Sequence, residues 1–493
     1  MATILGEILS PWACIDGSMA SSATLALARF VVDTRDVPSP VLAAMQDALI
    51  DTLACGLAGA YEPCVGIATR CIGEGSAVAS VWGTQRLVAS GDAAFANGIA
   101  AHALDFDDTL ASMRGHSSVT TVPVALAIGE KVGASGQDVL VALVMGLEIA
   151  GKVGRALGHG HYLRGWHSTA TVGPFAAAAV AAKLLGHDAA QLCDAWGLAA
   201  AQAAGLVRNF GTMAKPFQAG HAARAGIFAA ELAGAGMTAD RAIFDGPDGF
   251  PETYAADGPK LGELLPLLGE RWEALDPGLN FKRWPCCYAC HRALGGLMSM
   301  LDESEISGDD VVEVAIGFPP GSDEPLIHTE PKTGLEAKFS IEYPVAALLL
   351  DGKLDLASFT DQMVCRPEAR EMMRRVRRVP LADSGTFSGT IGYTDVEIRT
   401  RSGSWSRRIS KAPGSREWPV APAERQAKFF DCAANVLSAE RARDLIGVLA
   451  NIGAVRNIRE LTRMMRVPDQ PFRTNDPRVP PTMVARCAPS SRQ

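Results

Sequence analysis

The chain has 493 residues, 48% of them hydrophobic and 20% charged. A single compact core rarely grows beyond roughly 250–300 residues, so two domains are expected. The net charge of −8 speaks against a nucleic-acid partner. It also means that an anionic ligand must be met by a few individually placed cations. The 11 cysteines are odd in number and scattered, which is no disulfide framework and suits a reducing compartment. The opening stretch MATILGEILSPWACIDGSM has neither a basic n-region nor a clean apolar h-region. No membrane span is expected, since apolar runs of sufficient length are broken by charge or turn residues. The Ala-rich stretch Thr169–Leu185 comes nearest, and Gly173 and Pro174 make it read as a buried helix. The expected compartment is the cytoplasm.

Residues 24–60 carry apolar side chains at three- and four-residue steps on both sides of Pro38 and Pro40, which predicts two helices with a proline-marked junction. From about 90 to 235, long Ala/Leu/Val/Ile runs alternate with glycine-containing turns, and their small residues permit close helix packing. The character changes near 275. Val311–Phe318 alternates and is β-branched, Tyr393–Arg401 alternates again, and WSRRI after Gly403 is its predicted hairpin partner. Between them, Phe339–Leu350 and Pro367–Val376 read as helices. Helical periodicity resumes from Glu424 to about Arg466. The expected fold is mainly α: a large helical domain from 1–277 plus 416–466, with a smaller α+β lid domain, 278–415, inserted. The Pro-, Arg- and Ser-rich tail 467–493 is expected to be disordered.

Four segments carry chemistry. HALDFDDTLASMRGHSS, 102–118, places Asp105, Asp107 and Asp108 among apolar residues with His102, Thr109 and His116. Carboxylates near an imidazole orient it and raise its pKa, whereas the plainer reading is a solvated acidic turn. The spacing matches no accepted metal-binding pattern. RGWHSTATVGPF, 164–175, sets His167 just before a helix start, where free N–H groups favour anions; the alternative is a cap beside a packing histidine. FGTMAKPFQAGHAARAG, 210–226, holds Lys215 in a charge-poor context, either reaching solvent or binding an anion, while His221 reads as packing. KRWPCCYACHRALGG, 282–296, contains a literal CxxCH haem pattern, but no export signal accompanies it. A zinc site would need two further ligands. The segment reads better as a junction loop presenting Lys282 and His291 to a cleft, with its cysteines as packing.

Taken together, DFDDT, GWHSTATVGPF, GTMAKPFQAGHAARAG and KRWPCCYACHRAL resemble, in order and spacing, the MmgE/PrpD family of 2-methylcitrate dehydratase-, cis-aconitate decarboxylase- and iminodisuccinate epimerase-like enzymes. The likeness runs from about 25 to 466. It implies a helical domain with a smaller α+β lid, a site in the cleft between them, a homodimer, and neither metal nor organic cofactor. Carried over residue by residue, it implies that His116, His167, His291 and Asp105 are catalytic and that Lys215, Thr109 and Lys282 bind substrate. Two departures stand out: Ala219 occupies a position where many relatives carry histidine, and LIHTEPKTG has no tyrosine and offers His328 instead.

The chemistry expected is that of a cofactor-independent lyase, a dehydratase or decarboxylase acting next to a carboxylate of a small di- or tricarboxylate. His116 or His167 would be base or acid, Asp105 would orient an imidazole, and His291 would move the second proton. An epimerase of a polycarboxylate such as iminodisuccinate needs the same residue types, and a non-catalytic helical binding protein is the remaining alternative.

Overall fold

The structure is a computed structural model that describes residues 22–73, 77–255, 257–382, 392–468 and 470. Most of the tail 467–493 therefore lies outside the described residues. The protein is mainly helical, with one four-stranded sheet in its second half.

The helical body is built on α1 (Ser39–Gly59), α2 (Ser90–His102), α3 (Ser118–Val132), α4 (Gly136–Leu157), α5 (Ser168–Leu185) and α6 (Ala214–Gly234). Alanine and glycine dominate the contact faces, so backbones approach closely. A Cβ on Gly98 of α2 would lie 2.9 Å from the Cα of Gly220 on α6, which only glycine avoids. With the side-chain layer thinned in this way, α6 packs nearly backbone to backbone against both α2 and α5, and α5 is buried from Ser168 to Ala182. Both α1 and α5 are long and apolar enough to cross a membrane, and both are mostly buried within the body. Sequence reasoning singled out only the second; Asp47 and Asp51 break the apolar run of the first.

The smaller unit carries β1 (Val311–Phe318), β2 (Val376–Pro380), β3 (Thr394–Thr400) and β4 (Ser404–Ile409) in the order β2-β1-β3-β4. β1 runs parallel to β2 and antiparallel to β3, and β3 pairs antiparallel with β4. The helices α7 (His291–Ser304) and α8 (Glu342–Asp351) pack into the same apolar core as the sheet. Sequence reasoning ran a helix through Val376. In the structure that helix stops at Met373 and VRRVP forms β2. Two arginines in five residues hide the strand from a hydropathy pattern.

Two features join the units. Thr109 and Leu110 pair antiparallel with Asn280 and Leu279, and Val207 and Phe210, from the segment before α6, belong to the core of the smaller unit. Helix α9 (Pro422–Ala433) sends Phe429 and Cys432 into the core of the body.

Candidate active site

The helices α2, α5 and α6 bring their ends together. His102 is the last residue of α2, His167 is the N-cap residue of α5, and Lys215 and Gln218 lie in the first turns of α6. The loop leaving α2 is bent hard: Asp105 has φ +51° and Arg114 φ +52°, left-handed values that cost a non-glycine residue of order 1–2 kcal/mol each. What holds the loop is a set of lysines, Lys282 and Lys338 buried and Lys428 half-buried. The consecutive carbonyls of Leu104, Asp105 and Phe106 accept from Lys338 (2.8 Å), Lys282 (2.8 Å) and Lys428 (2.7 Å). Lys338 also donates to the Pro285 carbonyl at 2.8 Å, and Lys428 donates to the Lys282 carbonyl at 3.1 Å and pairs with Asp51 at 2.7 Å. The loop is thus fixed to the junction segment and to α1.

Asp105 is buried between two ammonium groups, Lys215 at 2.6 Å and Lys282 at 2.9 Å. Burial alone would raise its pKa, but the two lysines outweigh it and hold the carboxyl well below the usual range. Burial pushes Lys215 down against the pull of Asp105, whereas Lys282 ends above its ordinary value because Asp105 and Asp107 overcome its burial. The rings of Phe210 and Phe339 lie 5.2 and 5.3 Å from the Lys215 ammonium and shield it from water.

Asp107 bridges two imidazoles. Nδ1 of His102 lies 3.0 Å from its carboxylate and Nδ1 of His116 lies 2.7 Å away. His116 Nδ1 also reaches the Asp108 carbonyl at 2.9 Å, and the His116 backbone N–H donates to Thr169 Oγ1 at 3.0 Å. The preceding Gly115 lets the loop press on the start of α5, where a Cβ would stand 2.9 Å from the Thr169 nitrogen. On the far side, Nε2 of His102 is 2.6 Å from the Lys215 ammonium. An ammonium only donates, so His102 carries its proton on Nδ1 and is neutral. Burial, opposed by Asp107, brings its pKa down to about 3. His116 is lowered as well, by burial first, again against Asp107. Asp107 is held well below the carboxylate range because the two imidazoles outweigh its burial.

His167 is oriented without a charge. Its Nδ1 is 2.6 Å from Gln218 Oε1, and the Gln218 amide donates to the Leu206 carbonyl at 3.2 Å, which fixes which end faces the ring. Nδ1 therefore bears the proton and Nε2 the lone pair. That Nε2 is buried and has no hydrogen-bond partner. Burial, followed by the charge of Lys215, holds the ring pKa well below its ordinary value.

His102, Asp107 and His116 offer three donor atoms within 4.8 Å of one another, the spacing of a metal triad. Their hydrogen bonds oppose that use. Asp107 already accepts from both rings, and the free nitrogen of His102 faces an ammonium. The donor set fits a carboxylate-bridged imidazole pair better than a cation.

These groups surround a hollow of about 120 Å³. Two family models cover most of the chain, the MmgE/PrpD N-terminal domain over residues 25–261 and the MmgE/PrpD C-terminal domain over 284–452. The chain belongs to the MmgE/PrpD family. Among its relatives, the human cis-aconitate decarboxylase is 27% identical over 438 residues, covering 86% of this chain and 90% of that protein. The cis-aconitate decarboxylase-like protein oryM of Aspergillus oryzae is 26% identical over 479 residues (91% and 98%), and the Aspergillus terreus cis-aconitate decarboxylase is 25% identical over 461 (88% and 94%).

In this MmgE/PrpD protein Asp105, Thr109, His116, His167 and Lys215 all line the hollow. Lys282 does not: it stands behind Asp105 and neutralises it. Asp105 in turn orients no imidazole through a hydrogen bond or ion pair; that task falls to Asp107. His291 is fully buried between Trp284 and Tyr288, with ring centroids 5.1 and 5.0 Å away, and is absent from the hollow's wall. It begins α7, whose first turn points into the core of the smaller unit. The same segment instead supplies Cys287 and Tyr288 to the wall. Burial pushes the Cys287 thiol up to about 12, and the Tyr288 hydroxyl is buried without a hydrogen-bond partner. His328 faces the Phe210 carbonyl at 3.2 Å and also stays off the wall. Sequence reasoning missed Gln218, although its three-residue step from Lys215 puts both on one helix face. Lys338 and Lys428 went unremarked because a lysine near carbonyls distant in sequence has no local signature.

Proposed function

We propose that this protein is a lyase that removes CO₂, or alternatively water, from a small di- or tricarboxylate by acid–base chemistry that requires no cofactor. The observation that carries the reading is a single hollow faced by the Lys215 ammonium, the carboxylate-backed imidazole of His116 and the buried, unpartnered Nε2 of His167.

In this reading Lys215 binds a substrate carboxylate next to the reacting carbon. The two wall imidazoles divide the work by their partners. Asp107 favours a proton on His116, whereas the uncharged Gln218 does nothing comparable for His167. His167 is then the base and His116 the acid. In dehydration, His167 takes the proton from the carbon next to a carboxylate, and hydroxide leaves as water with a proton from His116. In decarboxylation, the carbon–carbon bond breaks, CO₂ departs, the electron pair stays on carbon conjugated with a neighbouring carboxylate, and a proton from His116 quenches it. Lys215 offsets the negative charge that builds up in both. The relatives named cis-aconitate decarboxylase favour loss of CO₂ and make cis-aconitate the first substrate to test.

The working form is proposed to be a homodimer. Helix α6 turns Lys215 and Gln218 inward and leaves Met213 just before it, with Phe217 and Phe228, on the surface at 38%, 46% and 53% exposure, an apolar stripe suited to a second copy. Light scattering on the purified chain checks this. The cysteines of the described residues are all free thiols, which supports the cytoplasm as compartment.

The function itself is tested by incubating the protein with cis-aconitate, citrate-, malate- and iminodisuccinate-like acids in deuterated water and following products by NMR. Loss of CO₂ or of water supports the reading. Inversion without loss would make the protein an epimerase, and an unchanged panel would remove the enzymatic reading.

A further inference from the structure

Charge in and around the hollow is almost cancelled before any substrate enters. Asp105 and Asp107 offset Lys215 and Lys282, His102 is neutral, and burial lowers the pKa of His116 and of His167. A polycarboxylate nevertheless brings two or three negative charges into this space, and each buried carboxylate needs a cation or donors of its own.

The wall holds one further cation, Arg114. It lines the hollow and also a neighbouring cavity of about 720 Å³, and so is shared by both walls. One of its terminal nitrogens donates to the Gly158 carbonyl, while its Nε is buried and has no hydrogen-bond partner. Among the described residues no carboxylate forms an ion pair with it; Asp257 acts on it only from a distance. Of the other cations of the neighbouring cavity, Arg155 pairs with Glu273 (3.0 Å), Arg271 with Asp276 (2.7 Å) and Lys411 with Glu417 (3.0 Å), while Arg292 and Arg416 stay off the wall of the hollow. Arg114 is also held at φ +52°, a backbone setting that surrounding structure must impose.

We propose that Arg114 binds the substrate carboxylate farthest from the reacting carbon, and that it makes the site prefer tricarboxylates over dicarboxylates. This rests on the polycarboxylate reading above. A guanidinium fork matches a carboxylate with two parallel hydrogen bonds, and Nε together with one terminal nitrogen supplies that edge. Lys215 then takes the carboxylate at the reacting carbon, and the spacing between the two cations sets which acids span the hollow.

The test uses two saturated, unreactive probes, tricarballylate with three carboxylates and glutarate with two, titrated calorimetrically into the full chain and into Arg114→Gln and Arg114→Lys. The wild type is expected to bind tricarballylate more tightly. Arg114→Gln should weaken tricarballylate at least about tenfold and leave glutarate nearly unchanged, and Arg114→Lys should restore part of the difference. Equal weakening of both probes, weakening of neither, or a wild type that binds neither overturns the proposal. Turnover separates the two levels. If the wild type converts an acid of the panel and Arg114→Gln keeps the wild-type preference for tri- over dicarboxylates, the role of Arg114 falls and the lyase reading stands. If the wild type converts none, the lyase reading falls as well.

Discussion

Lys215 stands 2.6 Å from Nε2 of His102 and, with the same ammonium, 2.6 Å from Asp105. This one contact fixes the protonation of the cluster. Because the lysine can only donate, His102 must accept at Nε2, so its Nδ1 proton points to Asp107, and Asp107 is left to hold His116 as well. The histidine of α2 is thus part of the support of the site.

That support makes stability depend on acid. The pKa of His102 is brought to about 3 in the folded protein from an ordinary 6.5. Between these values the unfolded chain binds the proton and the folded one does not, so this group's contribution is fully present above pH 6.5 and is lost as pH falls toward 3. Glu148, raised to about 7 by burial, works in the opposite sense over part of the window. The comparison with His102→Gln isolates the histidine. In urea unfolding from pH 7 to 4, the wild type should lose up to about 1.4 kcal/mol per pH unit more than the variant. Parallel curves would refute the neutral assignment.

A base whose pKa lies well below 6.5 stays active in mild acid. Where water is the group lost, the acid limb of kcat/KM is therefore expected well below pH 6.5, where an ordinary histidine would already have failed. Gln218→Glu places a carboxylate on His167 Nδ1 and should move that limb upward by about one to three pH units. A limb that does not move separates His167 from the reaction.

Lys428 clamps the Phe106 and Lys282 carbonyls and pairs with Asp51. Lys428→Met leaves that carboxylate buried without its cation, at about 3–5 kcal/mol of stability. Adding Asp51→Asn should recover much of the stability, while kcat stays low because the loop has lost its tie. If the double variant is as unstable as the single one, the ion pair is not the source of the effect.

Lys215→Met should fold, because Lys282 still neutralises Asp105. Its KM should rise at least about tenfold, as expected for loss of a charged contact to substrate. An unchanged KM in steady-state assays would place the carboxylate elsewhere.

The helical body, the later sheet and several residues lining the candidate site were legible in the sequence for different reasons. Apolar steps of three and four residues mark helices whether or not their partners are known, and the alternation of Val311–Phe318 marks a strand. His116, His167 and Lys215 were recognisable because each stands in a stretch poor in other polar residues. The division of labour inside DFDD was not. Successive side chains of a bent loop point different ways, and only the left-handed turn at Asp105 decides that this carboxylate faces lysines while Asp107 faces imidazoles. His291 lies off the hollow's wall because the cysteine-rich turn feeds directly into α7 and buries it. The lysine clamps join residues 104–106 to 282, 338 and 428, and nothing local encodes those distances.

The central claim is that His116, joined by His167 where water is the group lost, exchanges protons with one small acid held in the hollow. The most direct measurement is turnover of cis-aconitate, or of whichever panel acid reacts, by His167→Gln and by His116→Gln, with folding verified by thermal melting. Loss of one proton-transfer group predicts a fall in kcat of about 10²–10⁴ for His116→Gln, the acid required in either reaction, and a fall of the same order for His167→Gln if water is the group lost. Folded variants that both retain nearly the wild-type kcat would contradict the account.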